Sequence, residues 1–237
     1  MRISVAPVPR DFAGTEPGSA VVVVDVFRAS TTIAAALAGG ARFVLPAADV
    51  EQAMKLAEPY AANEVLLGGE RECQRIEGFQ LGNSPREYTR EVVTGKVIIF
   101  TTTNGTRALT AAKDAATVLV GSFVNFSAVA EAVAGHEAVT ILCAGNNGRL
   151  SLEDFACAGG LAARLARKGS QLDDAALAAR AAYKNLKPDL SRTLAATEHA
   201  LRLADLGFRA DLDFALKVDS IPVVPRLNEG RIVAPSA

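Results

Sequence analysis

The chain has 237 residues, of which half are apolar and none is tryptophan, and its formal net charge is −1. This length and composition suit a single globular domain with a substantial core, and we take residues 1–237 as one domain. Because the charge is close to neutral, there is no overall attraction to nucleic acid or to an anionic membrane, and neither is expected as a partner.

The sequence gives no sign of a targeting or membrane-spanning segment. No apolar run approaches the length of a bilayer span, and the N-terminal MRISVAPVPRDF lacks the pattern of a secretory signal. The three cysteines are odd in number and lack metal-ligand spacing, so they do not predict a disulfide framework. These features predict a reduced, cytoplasmic protein, for which a homodimer is the commonest assembly.

Apolar runs typical of buried strands alternate with helical patterns through the first 150 residues. The predicted strands are AVVVVDVF from Ala20, RFVL from Arg42, EVLLGG from Glu64, KVIIFT from Lys96, ATVLVG from Ala116 and AVTILCAG from Ala138. The predicted helices between them are STTIAAALAGG, DVEQAMKLAEPYA, NGTRALTAAKDA and SAVAEAVAG. This alternation predicts an α/β fold, with three α/β/α layers around a largely parallel or mixed central sheet.

The last third of the chain changes to a mainly helical pattern. Helices are predicted in SLEDFACAGGLAARLARKG, DDAALAARAAYKN and LSRTLAATEHALRLADLG, and a last strand in SIPVVPRL. We therefore expect a helix-rich C-terminal third within the same domain.

An acid directly follows the four valines of the first predicted strand. A carboxylate at this place, Asp25, costs free energy unless it is paired, hydrogen-bonded or bound to a metal. Ligands of open α/β sheets bind beyond the carboxyl ends of strands, so Asp25 is a candidate site residue. Arg28 could clamp an oxyanion, and Ser30 and Thr31 could bind it or cap the next helix. The ordinary alternative for Asp25 is an ion pair with Arg28.

Two further strand ends carry polar residues of the same kinds. In GGERECQRIEGFQLGNSPRE, after the third strand, the candidates are Glu70, Arg71, Asn83 and Ser84. In CAGNNGRLSLED, after the sixth strand, they are Asn146, Asn147 and Asp154. Since the ends of parallel strands meet at one edge of a sheet, these residues predict a composite site together with Asp25.

The fourth predicted strand ends in TTTNGT, which leads into a helix. The candidates in this segment are Thr102, Thr103, Asn104, Gly105, Thr106 and the following Arg107. Hydroxyls, backbone N–H groups and a helix N-terminus together make an anion cradle that suits phosphate, and Gly105 permits close approach of the backbone. The alternative is an ordinary helix cap and turn, for which Thr, Asn and Gly are also suited.

Three acids at the strand ends are candidate metal ligands. The oxygen atoms of Asp25, Glu70 and Asp154 would suit Mg²⁺ that is also held by water and substrate phosphate. The alternatives are an ion pair at Glu70 and a capping box in SLED, with Ser151 as the cap and Asp154 three residues later. Their coincidence around one crevice favours the metal.

Four blocks of the sequence resemble the signature blocks of the 2-phosphosulfolactate phosphatase family. They are DVFRAST, LGGERECQRIEGFQLGNSP, TTTNGTRAL and CAGNNGRLSLEDFACAG, in that order within residues 20–165. The resemblance implies an α/β/α fold and a Mg²⁺-dependent phosphatase acting on a small anionic phosphorylated substrate. The implied reaction converts (2R)-O-phospho-3-sulfolactate to (2R)-3-sulfolactate and phosphate, a step of coenzyme M biosynthesis.

For such a substrate we expect Asp25, Arg28 and Thr103 to act at the phosphoryl group. Arg28 and TTTNGT would hold the phosphate, and Mg²⁺ would polarise it and orient water. Asp25 could instead attack phosphorus and form an aspartyl-phosphate. The residues leave this choice open, as they do the identity of the phosphorylated hydroxy acid in a cell without coenzyme M.

Two alternatives come from other classes of protein. The segment from Cys143 to Arg149 has the Cys-x5-Arg spacing of thiolate phosphatases, although Asn146 and Leu150 replace the usual glycine and hydroxyl. A non-catalytic anion-binding module could use the same cradles. Both histidines are expected on the surface, since His136 precedes a strand and His199 lies on a polar helix face, and a general base at His199 stays as an alternative.

Overall fold

The computed structural model describes residues 1–234. The strands are β1 (Arg2–Ala6), β2 (Ala20–Val24), β3 (Phe43–Pro46), β4 (Val65–Arg71), β5 (Gln74–Arg75), β6 (Val97–Thr101), β7 (Thr117–Gly121), β8 (Ala138–Cys143), β9 (Gln171–Leu172), β10 (Arg226–Asn228) and β11 (Arg231–Val233). The helices are α1 (Ala29–Ala38), α2 (Val50–Ala57), α3 (Arg90–Val93), α4 (Gly105–Ala112), α5 (Phe126–Val133), α6 (Leu152–Leu165), α7 (Asp174–Leu186), α8 (Leu190–Leu194), α9 (Glu198–Asp205) and α10 (Arg209–Ala215). All six strands predicted within the first 150 residues form.

All eleven strands belong to one sheet, in the order β5-β4-β6-β3-β11-β10-β7-β2-β8-β1-β9. The strands β4, β6 and β3 form one parallel set, and β7, β2, β8, β1 and β9 form another. The antiparallel hairpin of β10 and β11 lies between them and pairs with β7 on one side and β3 on the other. The predicted α/β fold with a largely parallel, mixed sheet is therefore confirmed.

The four valines of β2 are all buried because helices cover both faces of this strand. Val22 and Val24 belong to an apolar cluster with α5, α6 and α7, whereas Val21 and Val23 belong to a cluster with α1 and α4. Side chains alternate between the two faces of a strand, so a continuous apolar run is what a doubly covered strand requires. The valine run therefore agrees with the predicted three-layer arrangement, in which helices cover both faces of the sheet.

The C-terminal third is helical, as predicted, but two boundaries differ from the prediction. The helix expected over LSRTLAATEHALRLADLG is divided into α8 and α9, because the side chain of Thr197 accepts a hydrogen bond from the Ala200 N–H and starts a new helix. The strand expected in SIPVVPRL is confined to its end, at β10, because Pro222 and Pro225 have no N–H for a ladder.

Within residues 1–234, none of the helices combines the length and apolar character needed to cross a bilayer.

Candidate active site

A cavity of about 240 Å³ lies where β2, β4, β6 and β8 end. Eight of the predicted site residues line it: Asp25, Arg28, Glu70, Asn83, Thr103, Asn104, Asn146 and Asn147. His199, Arg202 and Cys73 also line it. The structure thus brings the four polar strand ends together around one space, which we call the main cavity.

Asp25 is held at the N-terminus of α1 rather than by an arginine. Its N–H donates to Ser30 Oγ at 2.9 Å, and its Oδ1 accepts from the Ala29 N–H at 3.2 Å. Burial raises the pKa of Asp25 to about 6, and the nearby Glu70 and Glu153 also raise it, whereas His199 and the Ala29 N–H lower it. The acid after the valines therefore ionises near pH 6, with its second oxygen, Oδ2, free of hydrogen bonds to the described residues.

Gly105 is required by the close approach of two helix N-termini. A Cβ atom at this position would lie 2.6 Å from Ala29 Cβ and 2.8 Å from Asp25 Oδ2, closer than real Cβ contacts. The first turn of α4 therefore packs directly against the first turn of α1 and against the acid. The sequence predicted that a ligand would approach the backbone of Gly105, but it is the side chain of Asp25 that does so.

Arg28 is not free to clamp an oxyanion, contrary to the prediction. Its Nη1 donates to Asp211 Oδ2 at 2.8 Å, its Nη2 donates to the Cys73 carbonyl at 2.9 Å, and its guanidinium lies 4.1 Å from the Phe208 ring centroid. Both Arg28 and Asp211 have side chains only 2% exposed. Ser84 joins this network through a 2.8 Å hydrogen bond from its Oγ to Asp211 Oδ1. Arg28 and Ser84 therefore attach α10 and the segment after β4 to the end of β2.

TTTNGT acts partly as a helix cap and partly as a wall of the main cavity. The Thr102 N–H donates to Thr106 Oγ1 at 2.9 Å, and the Thr106 N–H donates to Thr102 Oγ1 at 3.3 Å, so both side chains serve the start of α4. Asn104 Oδ1 accepts from the Asn147 N–H at 3.2 Å. Thr103 lines the main cavity, and its Oγ1 is buried without a partner. Of the three threonines, Thr103 alone among the described residues has an unpaired hydroxyl.

The three acids predicted as metal ligands do not form one set. Asp154 accepts from the Val26 N–H with Oδ1 at 2.7 Å and from the Gly145 N–H with Oδ2 at 3.0 Å. Burial, followed by the charges of Asp25 and Glu153, raises the pKa of Asp154 well above its usual value. In the part of the chain that the structure describes, no three His, Cys, Asp or Glu side chains are arranged to hold a metal ion. Asp154 instead ties β2 to the segment after β8, and SLED forms no capping box.

Free oxygen atoms in the main cavity nevertheless fit a hard divalent cation. Asn83 is 6% exposed, and its Oδ1 is buried without a partner. Asp25 Oδ2 is also free, and Glu70 adds a second carboxylate whose oxygens accept from the Thr103 and Cys73 N–H groups, each at 2.8 Å. Mg²⁺ prefers such oxygen ligands and keeps several waters, so an amide oxygen and one or two carboxylates suffice.

Several other predicted residues have structural partners and do not line the main cavity. Ser30 is bonded to Asp25 as described, and Thr31 Oγ1 donates to the Val26 carbonyl and lies 2.7 Å from Ser122 Oγ. Arg71 donates to the Glu70 carbonyl and to Thr101 Oγ1. Arg107 is exposed and lines a separate, smaller cavity. These side chains shape the strand ends or lie outside them.

His199, expected on the surface, lines the main cavity. Its Nδ1 lies 2.8 Å from Glu153 Oε1, and both side chains are largely buried. Burial alone would lower the pKa of His199, but Cys73 and Glu153 as hydrogen-bond partners, with the charges of Glu153 and Asp25, raise it to about 10. The site therefore holds an imidazolium at neutral pH. The sequence did contain a sign that His199 faces the protein interior. His199 lies four residues before the buried Leu203, and this spacing places both on the same side of α9.

Comparison with known proteins assigns the chain to a family. A family model described as 2-phosphosulpholactate phosphatase matches residues 8–230. The chain belongs to this family. The resemblance inferred from four sequence blocks is thus confirmed, as is the predicted enzyme class, a phosphoric monoester hydrolase.

Relatives in this 2-phosphosulfolactate phosphatase family match over most of their length. A probable 2-phosphosulfolactate phosphatase of Caldanaerobacter subterraneus subsp. tengcongensis is 41% identical over 212 residues, which are 89% of this chain and 88% of the relative. One of Thermotoga petrophila is 41% identical over 209 residues, 88% of this chain and 89% of the relative. One of Symbiobacterium thermophilum is 39% identical over 219 residues, 91% of this chain and 94% of the relative.

The thiolate alternative for this member of the phosphosulfolactate phosphatase family is not supported by the segment from Cys143 to Arg149. Asn146 and Arg149 exchange backbone hydrogen bonds of 2.9 and 3.0 Å around Asn147 and Gly148, whose φ angles are +50° and +72°. This is a tight Asn-Gly turn rather than an anion cradle. Cys143 has no exposed surface, and burial raises the pKa of its thiol well above the usual value. A thiolate nucleophile is therefore unavailable at this position.

Alkylation provides a test that separates the two cysteines near the site. We expect iodoacetamide to inactivate the protein through Cys73, which lines the main cavity and is partly exposed, and not through Cys143. Cys73→Ala should stay active at neutral pH and resist inactivation, although the pKa of His199 should fall because Cys73 is one of the groups that raise it. Cys143→Ala should keep its activity and remain sensitive. Turnover before and after treatment, with peptide mapping of the alkylated residue, measures this. Loss of all turnover in Cys143→Ala that is still folded would restore the thiolate mechanism.

Proposed function

We propose that the protein is a Mg²⁺-dependent phosphatase that hydrolyses (2R)-O-phospho-3-sulfolactate to (2R)-3-sulfolactate and phosphate, as in coenzyme M biosynthesis. The observation that carries the proposal is the main cavity, which combines a carboxyl group of pKa about 6 with the imidazolium of His199. Membership of the family supports the phosphatase reaction, and the names of the relatives support the substrate. The free cysteines are consistent with the cytoplasmic location that we also propose.

The charges around the main cavity support a bound cation. The substrate carries phosphate, carboxylate and sulfonate, and Asp25 and Glu70 add two acids to the main cavity. Arg28 is paired with Asp211 and His199 with Glu153, so among the described lining residues the exposed Arg202 is the one cationic side chain without an acidic partner. Mg²⁺ held by Asp25 and Asn83 would neutralise and polarise the phosphoryl oxygens. Without such a cation, the two acids would repel the group that has to bind beside them.

The residues of the main cavity divide the remaining work. Thr103 Oγ1 would donate to a phosphoryl oxygen, and Glu70 holds the Thr103 backbone in place. Asp25, ionised above pH 6, would orient the attacking water and take its proton, or attack phosphorus itself. As the ester P–O bond breaks, the leaving oxygen needs a proton. Since Glu153 Oε1 lies against Nδ1 of His199, Nε2 would be the nitrogen that donates it.

Removal of the metal is the direct test of this proposal. Excess EDTA should abolish hydrolysis of 2-phospho-3-sulfolactate, and added Mg²⁺ should restore it. Because the ion would bind only the folded chain, Mg²⁺ should also raise the melting temperature, and this rise should be lost in Asn83→Ala. Phosphate release and thermal unfolding measure the two effects. A panel of phosphate monoesters identifies the preferred phosphorylated hydroxy acid. Full activity in excess chelator would contradict the metal dependence, and turnover of none of the esters would contradict the phosphatase function.

A further inference from the structure

A second cavity of about 440 Å³ adjoins the main cavity, and we call it the side cavity. Asn146, Asn147 and His199 line both cavities and therefore form their common boundary. A small molecule that holds its phosphoryl group beside Asp25 can thus extend past His199 toward the side cavity. We call the residues that line the side cavity and not the main cavity its far wall. Among them, neither Arg149 nor Ser151 has a role in the mechanism above.

The far wall contains a buried hydroxyl without a partner. Ser151 is 5% exposed and lines the side cavity, and its Oγ has no hydrogen-bond partner. The residue is the N-cap of α6, a helix of 14 residues, yet its side chain makes no capping bond. A hydroxyl left unpaired in a buried position costs free energy, and a polar ligand would relieve that cost. The helix N-terminus beside it favours a ligand that is negatively charged.

The charged residues that line the side cavity favour an anion beside Arg149 and the N-terminus of α6. Glu153 and His199 neutralise each other through their 2.8 Å contact. Arg149 is exposed, and its guanidinium has no ion pair or hydrogen bond to the residues that the structure describes. Glu198, in the first turn of α9, is also exposed and lines the same cavity, so it is an acid that opposes an anion there. The turn through Asn147 and Gly148 presents Arg149 two residues before Ser151.

We infer that the side cavity is the subsite for the second anionic group of the substrate, a sulfonate or a carboxylate, which Arg149, Ser151 and the N-terminus of α6 bind. The inference rests on the proposed phosphatase function and extends it to substrate selection. It explains how a protein of near-neutral charge distinguishes a phosphorylated acid from a simple phosphate ester. Because the guanidinium and the hydroxyl act only on this group, they determine specificity and do not touch the reacting atoms.

Three substrates test the subsite by the anions that they carry. These are 2-phospho-3-sulfolactate with carboxylate and sulfonate, 2-phospholactate with carboxylate alone, and p-nitrophenyl phosphate with neither. Arg149→Ala should raise KM for 2-phospho-3-sulfolactate by about tenfold or more, as for the loss of a charge-assisted hydrogen bond, and leave kcat nearly unchanged. Ser151→Ala should act in the same direction and more weakly, and neither variant should change the kinetics of p-nitrophenyl phosphate. Glu198→Gln should lower KM, since it removes an opposing charge.

The exposed Arg167 provides the matched control, and Arg167→Ala should leave every KM unchanged. A KM rise shared by 2-phospholactate assigns the carboxylate to the subsite, and a rise confined to 2-phospho-3-sulfolactate assigns the sulfonate. Equal effects on all three substrates, or no effect of Arg149→Ala, would overturn the inference. Titration calorimetry with 3-sulfolactate gives a readout without turnover, in which Arg149→Ala should weaken binding by the same factor. Wild-type protein that binds 3-sulfolactate but hydrolyses none of the esters would contradict the proposed function and leave the subsite supported.

Discussion

Asp25→Asn is expected to lower kcat by several orders of magnitude while the protein stays folded. The substitution keeps the shape of the side chain and its hydrogen bond to the Ala29 N–H, but it removes the charge that a metal ligand, a base or a nucleophile must supply. Turnover of 2-phospho-3-sulfolactate at saturating Mg²⁺ measures the loss. Asp205→Asn, on the exposed end of α9, is the matched control and should be fully active.

The same substitution should stabilise the metal-free protein. The pKa of Asp25 is raised from 3.8 to about 6 by burial, so the folded chain favours the protonated form. This preference stabilises the fold at pH values below about 4 and is lost as the pH rises through 6, which leaves a buried charge at neutral pH. Removing that charge should be worth on the order of 2–3 kcal/mol, or roughly 4–12 °C in melting temperature in EDTA. Near-normal kcat in Asp25→Asn would contradict the central role of this acid.

The stereochemistry at phosphorus distinguishes the two roles that remain open for Asp25. Direct attack by water is one displacement and inverts a chiral phosphoryl group, whereas an aspartyl-phosphate requires two displacements and retains its configuration. Because Asp25 Oδ2 is the free oxygen beside the main cavity, it is the atom that would become phosphorylated in the second case.

His199→Gln is expected to lower kcat by about 10²–10⁴-fold for an alkyl phosphate, the range for a lost general acid. The loss should be much smaller for p-nitrophenyl phosphate, because its leaving group departs without a proton. A purely structural role for His199 would lower both rates equally. His136→Gln is the matched control, since His136 lies outside the main cavity and the chain contains no third histidine.

The pH dependence of activity also tests the assignment of His199 as the general acid. Activity of the wild-type enzyme should rise as Asp25 ionises near pH 6 and fall as His199 loses its proton near pH 10. His199→Gln should lose the alkaline limb and keep the acidic one. Glu153→Gln should move the alkaline limb to lower pH, because Glu153 is one of the groups that raise the pKa of His199. An alkaline limb that stays in place in both variants would show that another group donates the proton.

The strand ends were predictable from sequence because they depend on local pattern. The valine run, the threonines before Asn104 and the Asn147–Gly148 turn each specify a strand end or a turn within a few residues. The strand ends then meet at one edge because of the order and direction of the strands in the sheet, and not because of contacts between these side chains. For this reason eight of the candidates lie together around the main cavity.

The partners of those residues were not predictable, because they come from distant parts of the chain. Asp211, 183 residues after Arg28, converts an expected phosphate clamp into a buried ion pair, and an arginine fork suits a carboxylate as well as it suits phosphate. Asp154 has the residue type of a metal ligand, but the Val26 N–H, 128 residues away, uses its Oδ1. His199 gains its role only when α9 packs beside Glu153.

The hairpin of β10 and β11 has a consequence for synthesis in the cell. These two strands follow the other described strands and helices in the chain, yet they pair with β3 and β7 and join the two parallel sets into one sheet. Until they emerge, β3 and β7 have no neighbour on that side, and such open edges pair readily with other chains. A nascent chain therefore depends on β10 and β11 to close its own sheet, and a premature stop before Arg226 would produce an aggregation-prone fragment even though every residue lining the main cavity had already been made.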